Sequence, residues 1–285
     1  MATPETINPV VDRYGVMGNP IAHSRSPQIH RLFARQTGQA IRYEALLAPL
    51  DGFADAVAQF HADGGKGLNI TVPFKEHAWQ LVNALTPRAE FAGAVNTIKF
   101  EDDGLWCGDN TDGVGLVRDL RVNHGVALAE RRILLLGAGG AVRGVLQALF
   151  EHQPAAVVVA NRTVDKALEL AKIFSRLGDI EGIGFDGLPG RQFDVIVNGT
   201  AASLQGAELP LPDDILAAGA CCYDMMYSAE ATVFQRWARQ HGAQLALDGL
   251  GMLVEQAAES FLLWRGVRPD TAPVIEAVRR DMAGG

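Results

Sequence analysis

The chain has 285 residues, 48% of them hydrophobic, 31 glycines and a formal net charge of −8, enough apolar material for one large or two ordinary domains with substantial cores. Lys and Arg are scattered and form no basic block, which argues against a nucleic-acid partner or an anionic membrane surface, since both need clustered positive charge. Three cysteines, Cys107, Cys221 and Cys222, make no Cys-x-x-Cys pair and point to reduced thiols and a cytoplasmic protein.

From the N-terminus, "MATPETINPVVDRYG" lacks a basic segment followed by an apolar core, so no signal peptide is expected. No later stretch approaches the roughly 20 apolar residues of a membrane span. "RYGVMG" reads as a strand, and "SPQIHRLFARQTG" as a helix. In that helix Ile29, Leu32, Phe33 and Gln36 fall at helical spacing, with Ser26 as N-cap ahead of Pro27. "IRYEALL", "GLNITV" and "AVNTIKF" are further strands, separated by the helical stretches "LDGFADAVAQFHADG" and "FKEHAWQLVNAL". The turn-rich "CGDNTDGVG" marks the expected domain boundary.

Beyond it, "RILLLGAG", "AAVVVANR", "FDVIVNGT" and "CCYDMM" are continuous apolar runs, as parallel strands covered on both faces require. Strands alternating with helical patterns imply βαβ units. Two helical blocks, "GMLVEQAAESFLLWRG" and "PDTAPVIEAVRRDMAGG", follow the last strand and are placed to pack back on the first half. The expected fold is therefore α/β in two domains. Residues 1–112, completed by 250–285, form the first domain; residues 113–249 form a second, Rossmann-like one.

"RRILLLGAGGAVRGVLQALFEH" carries the main local signal. A β run ends in Gly137, Ala138, Gly139, Gly140 and Ala141, where a helix opens. Such a loop lets backbone N–H groups approach a pyrophosphate at the helix N-terminus. The third glycine of G-x-G-x-x-G is replaced by Val142, so an ordinary Gly-rich turn is the alternative. The next strand ends in Asn161-Arg162-Thr163, with Lys166 one turn on and no acid at the ribose-reading position. Cations there suit a 2′-phosphate, which favours NADP over NAD.

A nicotinamide cofactor implies hydride transfer, and a carbonyl reduction also needs a proton donor on the loops at strand ends. Ser24 and Ser26 follow the first strand. Asn69 and Thr71 interrupt "LNITV", and Lys75 follows it. Asn96 ends a turn, and "DNTDG" presents Asp109, Asn110 and Asp112. Each has a plainer reading taken singly: Ser26 and Asp112 as helix N-caps, Lys75 as a solvated helix residue, His23 and His77 as structural or solvent-facing. No Cys/His cluster has metal spacing, so no metal is expected.

The ordered blocks "YGVMGNPIAHSRSPQIH", "GLNITVPFKE", "AGAVNT", "DNTDG", "LLLGAGGAVRG", "NRT", "NGTAASL", "YDMMY" and "GLGMLVEQAA" resemble the signature blocks of the shikimate/quinate dehydrogenase family, from about residue 14 to 265. The resemblance implies that Ser24 and Ser26 bind a substrate carboxylate and that Lys75 and Asp112 form the catalytic pair. It implies further that Thr71, Asn96 and Gln256 grip ring hydroxyls, with Asn69 beside them, and that Tyr227 lies near the carboxylate. Gly137 to Ala141, then Asn161, Arg162, Thr163 and Lys166, would hold the NADP phosphates. Met225 and Gly249 would lie near the nicotinamide, and Thr200 would line the cofactor cleft. Many members carry Arg where this chain has Lys166, so the planar phosphate fork is lost there although the charge is kept. The expected activity is NADPH-dependent reduction of 3-dehydroshikimate to shikimate by a monomer or homodimer. The alternatives are an NAD-dependent quinate/shikimate dehydrogenase and a non-catalytic dinucleotide-sensing regulator.

Overall fold

The computed structural model of the protein describes residues 11–202 and 206–284. Ser203 and Leu204 of the "NGTAASL" block lie outside the described residues, as do residues 1–10, on which most of the signal-peptide reading rests. In the first half β1 (Asp12–Gly18), α1 (Ser26–Thr37), β2 (Ile41–Leu47), α2 (Phe53–Ala62), β3 (Gly65–Ile70) and α3 (Lys75–Leu81) alternate. They are followed by β4 (Ala84–Leu85), α4 (Pro87–Ala92), β5 (Thr97–Phe100) and β6 (Trp106–Asp109). The sheet order is β2-β1-β3-β5-β6-β4. The first three strands are parallel, while β5 runs antiparallel to both β3 and β6.

That antiparallel pair departs from the βαβ pattern expected throughout. β6 is four residues, Trp-Cys-Gly-Asp, too short and too polar to stand out from the turn-rich boundary stretch that contains it. Its effect on the site is large. Because β5 starts where β3 ends, Asn69 on β3, Thr97 on β5 and Asp109 on β6 share one cross-strand row. Ser26 is not the cap of α1: Arg25 holds the N-cap position, with no side-chain cap bond. Gln36 does not join the buried face either; its amide reaches out to the Asp270 carbonyl at 3.1 Å.

The second half contains α5 (Asp112–Arg118), a π-helical turn (Asp119–Asn123), β7 (Arg132–Leu136), α6 (Gly140–Phe150), β8 (Ala156–Ala160), α7 (Val164–Phe174), β9 (Ile180–Ile183), β10 (Phe193–Asn198) and β11 (Leu216–Asp224). They lead to α8 (Val233–Gln240), β12 (Leu245–Leu247), α9 (Leu250–Arg265) and α10 (Ala272–Gly284). The second sheet is wholly parallel, ordered β12-β11-β10-β7-β8-β9. Read from β7 onward this is the 3-2-1-4-5-6 order of dinucleotide-binding folds, which opens a crevice between β7 and β10. Ile133 to Leu136 and Val157, Val159 and Ala160 are fully buried, as helices on both faces demand. Cys221 and Cys222 are free and buried on β11, and burial pushes the Cys221 thiol up to about 12. Among the described residues no helix is long and apolar enough to cross a membrane.

The C-terminal helices return to the first sheet. Trp264 on α9 donates from its indole nitrogen to the Ile98 carbonyl on β5 at 3.0 Å, and Arg265 pairs with Asp12 on β1. Leu250, Val254, Ala258 and Phe261 share a core with Ile29 and Phe33 of α1. Within the second half α5 packs closely on α6. A Cβ on Gly113 would lie 2.8 Å from Ala148 Cβ and 2.9 Å from the Gly144 carbonyl oxygen, so only glycine permits this approach.

Candidate active site

A cavity of ≈ 350 Å³ opens beyond the C-terminal ends of β1 and β3. It gathers eleven of the expected residues: Ser24, Ser26, Asn69, Thr71, Lys75, Asn96, Asp112, Met225, Tyr227, Gly249 and Gln256. These come from six separate stretches of chain, joined by the β3–β5–β6 row and by α9 passing beside it. A larger cleft, ≈ 940 Å³, is lined by Arg118, Asp119, Asp248, Arg279 and neighbours and contains none of them.

Lys75 opens α3, and its Nζ lies 2.6 Å from Asp112 Oδ2. Asp112 opens α5, whose N-cap position belongs to Thr111 with no side-chain cap bond, so the carboxylate is not consumed by its own helix. The other oxygen, Oδ1, accepts from Asn96 Nδ2 at 2.7 Å. The Lys75 side chain is 31% exposed and that of Asp112 13%. One ammonium proton is thus held by the carboxylate while the head keeps an open side toward the cavity. A carboxylate with a hydrogen-bonded partner on each oxygen is fixed in orientation and can hold such a cation in place.

Asp109 and Asn110, expected to share the pocket, do not reach it. Asp109 is buried and receives both a bidentate clasp from Arg88, at 2.6 and 2.5 Å, and a hydrogen bond from Thr86. Asn110 donates to the Ala94 carbonyl and accepts from the Asp112 backbone N–H, which makes it the brace of the turn. Only the last acid of "DNTDG" faces the cavity. Asn69 lines the cavity, but its polar atoms are taken by protein: Oδ1 accepts from Tyr43 at 2.7 Å, and Nδ2 faces Thr97, Ser260 and the Asn96 carbonyl.

The hydroxyl of Thr71 has no hydrogen-bond partner among the described residues, and Ser24 Oγ accepts only the Ser26 backbone N–H at 3.3 Å. Both can therefore turn to a ligand. Burial pushes the Tyr227 phenol up, opposed by the charge of Arg25, so it remains a proton-bearing donor. Gln256 donates to the Leu253 carbonyl at 2.8 Å and accepts from Thr111 at 3.4 Å. His23 sits exposed at the rim and His77 is exposed on α3, as solvent-facing residues.

The dinucleotide loop lies at the crevice of the second sheet. Gly137 has φ +102°, and a Cβ there would come within 3.1 Å of Thr200 Cγ2, so this position requires glycine. Gly139 and Gly140 have no atom within 4 Å of where a Cβ would stand. Open space therefore lies over the first turn of α6, whose unpaired N–H groups are free for an anion. Val142, in place of the third glycine, is fully buried; it packs helix on sheet without spoiling the cradle. Thr200 is pinned by Asn198 through both its N–H and its hydroxyl, at 3.0 and 2.7 Å. Asn161 braces the next turn by donating to the Thr163 carbonyl at 2.8 Å. Arg162 and Lys166 are exposed and have no ion-pair partner among the described residues, so the residues present fit a dinucleotide bearing a 2′-phosphate. The two sites meet at Gly249, where a Cβ would stand 2.2 Å from the Met225 carbonyl oxygen, and both residues border the cavity.

The chain matches the family models for the shikimate dehydrogenase substrate binding domain over residues 16–98, for shikimate / quinate 5-dehydrogenase over 120–205, and for the shikimate 5'-dehydrogenase C-terminal domain over 249–279. It is 64% identical to a shikimate dehydrogenase (NADP(+)) of Alkalilimnicola ehrlichii, over 95% of this chain and 99% of the relative. The chain belongs to the shikimate dehydrogenase family. Among solved structures, an Ael1 enzyme from Pseudomonas putida has a TM-score of 0.88 at 46% identity, covering 93% of this chain and 97% of that one. Shikimate 5-dehydrogenase from Thermus thermophilus, solved with NADP(H) and shikimate, has a TM-score of 0.83 at 33% identity, over 95% and 99%.

Sequence reasoning did not single out Tyr43, Thr97, Thr111, Ser260, Met252 or Leu253. Two signals were available. Thr97 is a polar residue in an apolar strand, and Ser260 lies four residues after Gln256, on the same helical face.

Proposed function

We infer that the protein is an NADP-dependent shikimate dehydrogenase. It catalyses the reversible reduction of 3-dehydroshikimate to shikimate, a step of aromatic amino-acid (chorismate) biosynthesis. The observation that carries the mechanism is the Lys75–Asp112 pair, 2.6 Å apart with its ammonium open to the cavity. NADPH, when bound, supplies the hydride that reduces the substrate carbonyl carbon. Lys75 then gives its proton to the oxygen as it gains charge, and its cationic head stabilises that oxygen beforehand. In the oxidation direction neutral Lys75 takes the hydroxyl proton. Asp112 holds the amine in place through both states, because Asn96 keeps the carboxylate oriented when the lysine is neutral.

Ser24, Ser26 and Tyr227 form the carboxylate end of the substrate site in this reading, and Thr71 and Gln256 the hydroxyl end, where Asn96 lines the wall with its amide bonded to Thr111 and Asp112. Gly137 to Ala141 and Thr200 hold the pyrophosphate side, and Arg162, Thr163 and Lys166 the 2′-phosphate. Asn161 shapes that loop, and Met225 with Gly249 borders the nicotinamide. Residues 1–112 with 250–285 serve as the substrate domain and 113–249 as the NADP domain. The protein works in the cytoplasm as a monomer or homodimer on a small-molecule substrate.

The test follows absorbance of the reduced nicotinamide with shikimate or quinate and each of NADP and NAD. Rapid reduction of NADP by shikimate is expected. Faster turnover of NAD with quinate overturns the substrate and cofactor assignment, and no reduction in any pairing overturns the enzyme. Lys75→Met should lower turnover by about 10²–10⁴-fold, the range of a lost general acid–base group. Near-normal turnover in that variant would refute its role.

A further inference from the structure

We propose that Tyr43, Asn69 and Thr97 form a one-way hydrogen-bond relay that positions the Asp112 carboxylate and supports its charge when Lys75 gives up its proton. The proposal rests on the assignment of Lys75 as the proton-transfer group. Four bonds connect the edge strand β2 to the site. Tyr43 donates to Asn69 Oδ1 at 2.7 Å, Asn69 Nδ2 to Thr97 Oγ1 at 3.1 Å, Thr97 Oγ1 to Asn96 Oδ1 at 2.9 Å, and Asn96 Nδ2 to Asp112 Oδ1 at 2.7 Å.

The direction of the chain follows from backbone groups that have no choice of role. Asn96 Oδ1 accepts the Thr111 backbone N–H at 2.9 Å, so its Nδ2 must face Asp112. Asn69 Nδ2 lies 3.2 Å from the Asn96 carbonyl, which can only accept. Asn69 Oδ1 therefore faces Tyr43, and Tyr43 must donate. Burial pushes the Tyr43 phenol well above its ordinary value, so it keeps that proton. Thr97 has one proton and two oxygens within reach, Asn96 Oδ1 and, at 2.7 Å, Ser260 Oγ; Ser260 Oγ can itself donate, either to Thr97 or to the Gln256 carbonyl at 3.1 Å, and when it donates to Thr97 the Thr97 proton is left for Asn96. The negative charge at the Asp112 end polarises the chain and draws the proton toward Asn96, since successive bonds in a dry site reinforce one another. Asn69, Asn96, Thr97 and Ser260 are all buried, and His30 stacks flat on the Tyr43 ring at 4.1 Å, fixing its outer end.

This arrangement assigns Asn69 a role other than gripping substrate. During turnover Lys75 loses its charge and Asp112 loses its ionic partner. The relay then carries the stabilisation of the carboxylate from the protein side. Without it the potential at Lys75 becomes more negative, and the lysine holds its proton more tightly. Neutral Lys75 is the base for shikimate oxidation, so the pH limb of kcat/KM for that direction should move upward.

The experiment records that limb for wild type, Thr97→Val, Thr97→Ser, Tyr43→Phe and Lys75→Met. Thr97→Val keeps the shape of the side chain and removes the hydroxyl. The expected result is a limb shifted up by about half a pH unit or more in Thr97→Val and Tyr43→Phe, restored in Thr97→Ser. A change in kcat with no movement of the limb makes Thr97 and Tyr43 packing residues and overturns the relay. Should Thr97→Val not fold, Tyr43→Phe decides alone. Turnover surviving in Lys75→Met overturns the underlying assignment of the base. Loss of turnover there, with unshifted limbs in Thr97→Val and Tyr43→Phe, overturns only the relay.

Discussion

His30 is fully buried against Phe33, Tyr43, Phe261 and Trp264, and neither of its ring nitrogens has a hydrogen-bond partner among the described residues. Burial drives its pKa down from 6.5 to about 3, and the nearby polar side chain of Asn69 offsets only part of that. The folded value lies below the unfolded one. The linked stability is therefore fully present above pH 6.5 and drains away as pH falls toward 3, while the unfolded chain takes up a proton that the folded protein refuses. Each pH unit in that window is worth up to about 1.4 kcal/mol, giving a loss of about 2 kcal/mol at pH 5 and about 3 kcal/mol at pH 4 from this one residue. His30→Phe keeps a ring in the stack and removes the titration. Its extra volume adds a cost, on the order of 1–3 kcal/mol, that does not depend on pH. Urea unfolding followed by tryptophan fluorescence reports directly on this region, because Trp264 lies 5.5 Å from the His30 ring. Between pH 7.5 and pH 5 wild type should lose about 2 kcal/mol more than His30→Phe. Parallel losses over that range would refute the reasoning and mean that the buried imidazole is protonated without penalty.

Arg162→Ala and Lys166→Ala should each raise the KM for NADP by about 10–100-fold, the worth of a charge-assisted hydrogen bond, while leaving the KM for NAD within a few-fold; steady-state kinetics with both cofactors checks it. Gly249→Ala places a Cβ 2.2 Å from the Met225 carbonyl oxygen, and the backbone there has little room to yield. Its Tm should fall, and kcat with it, since both residues border the cavity. Arg88→Met strands the Asp109 carboxylate in the interior with Thr86 and the Asn110 N–H as its remaining partners. It should cost about 3–5 kcal/mol of stability in chemical denaturation, with KM for shikimate unchanged in the folded fraction.

Much of the second sheet was legible in the sequence because its longer strands contain unbroken apolar runs, a pattern that parallel strands buried on both faces require. The unpaired cations after β8 were equally legible, since a ribose-reading acid was missing where one would stand. The antiparallel β5–β6 pair was not. Four residues with one large apolar side chain carry no period, and only the register with Asn69 and Thr97 makes them a strand. The short β4, β9 and β12 were missed for a related reason: each has from two to four residues, below the length at which periodicity speaks.

The same short strand gives the physical reason why the last acid of "DNTDG", the one the family resemblance assigns to the catalytic pair, faces the lysine and the first does not. Asp109 and Asp112 are three residues apart and chemically identical, and a site needs only one. Asp109 is the last residue of β6, and its side chain falls where Arg88 and Thr86 of the preceding turn and helix converge. The chain then turns through Asn110 and Thr111, so the next acid begins a helix on the far side of the turn, facing Lys75. The assignment of roles thus follows from where one strand stops. That is why the turn is so heavily braced: Asn110 ties it to Ala94 and to the Asp112 N–H, and Asn96 receives the Thr111 N–H. These buried amides commit their hydrogen bonds to the path of the chain, and catalytic geometry at Asp112 is the consequence.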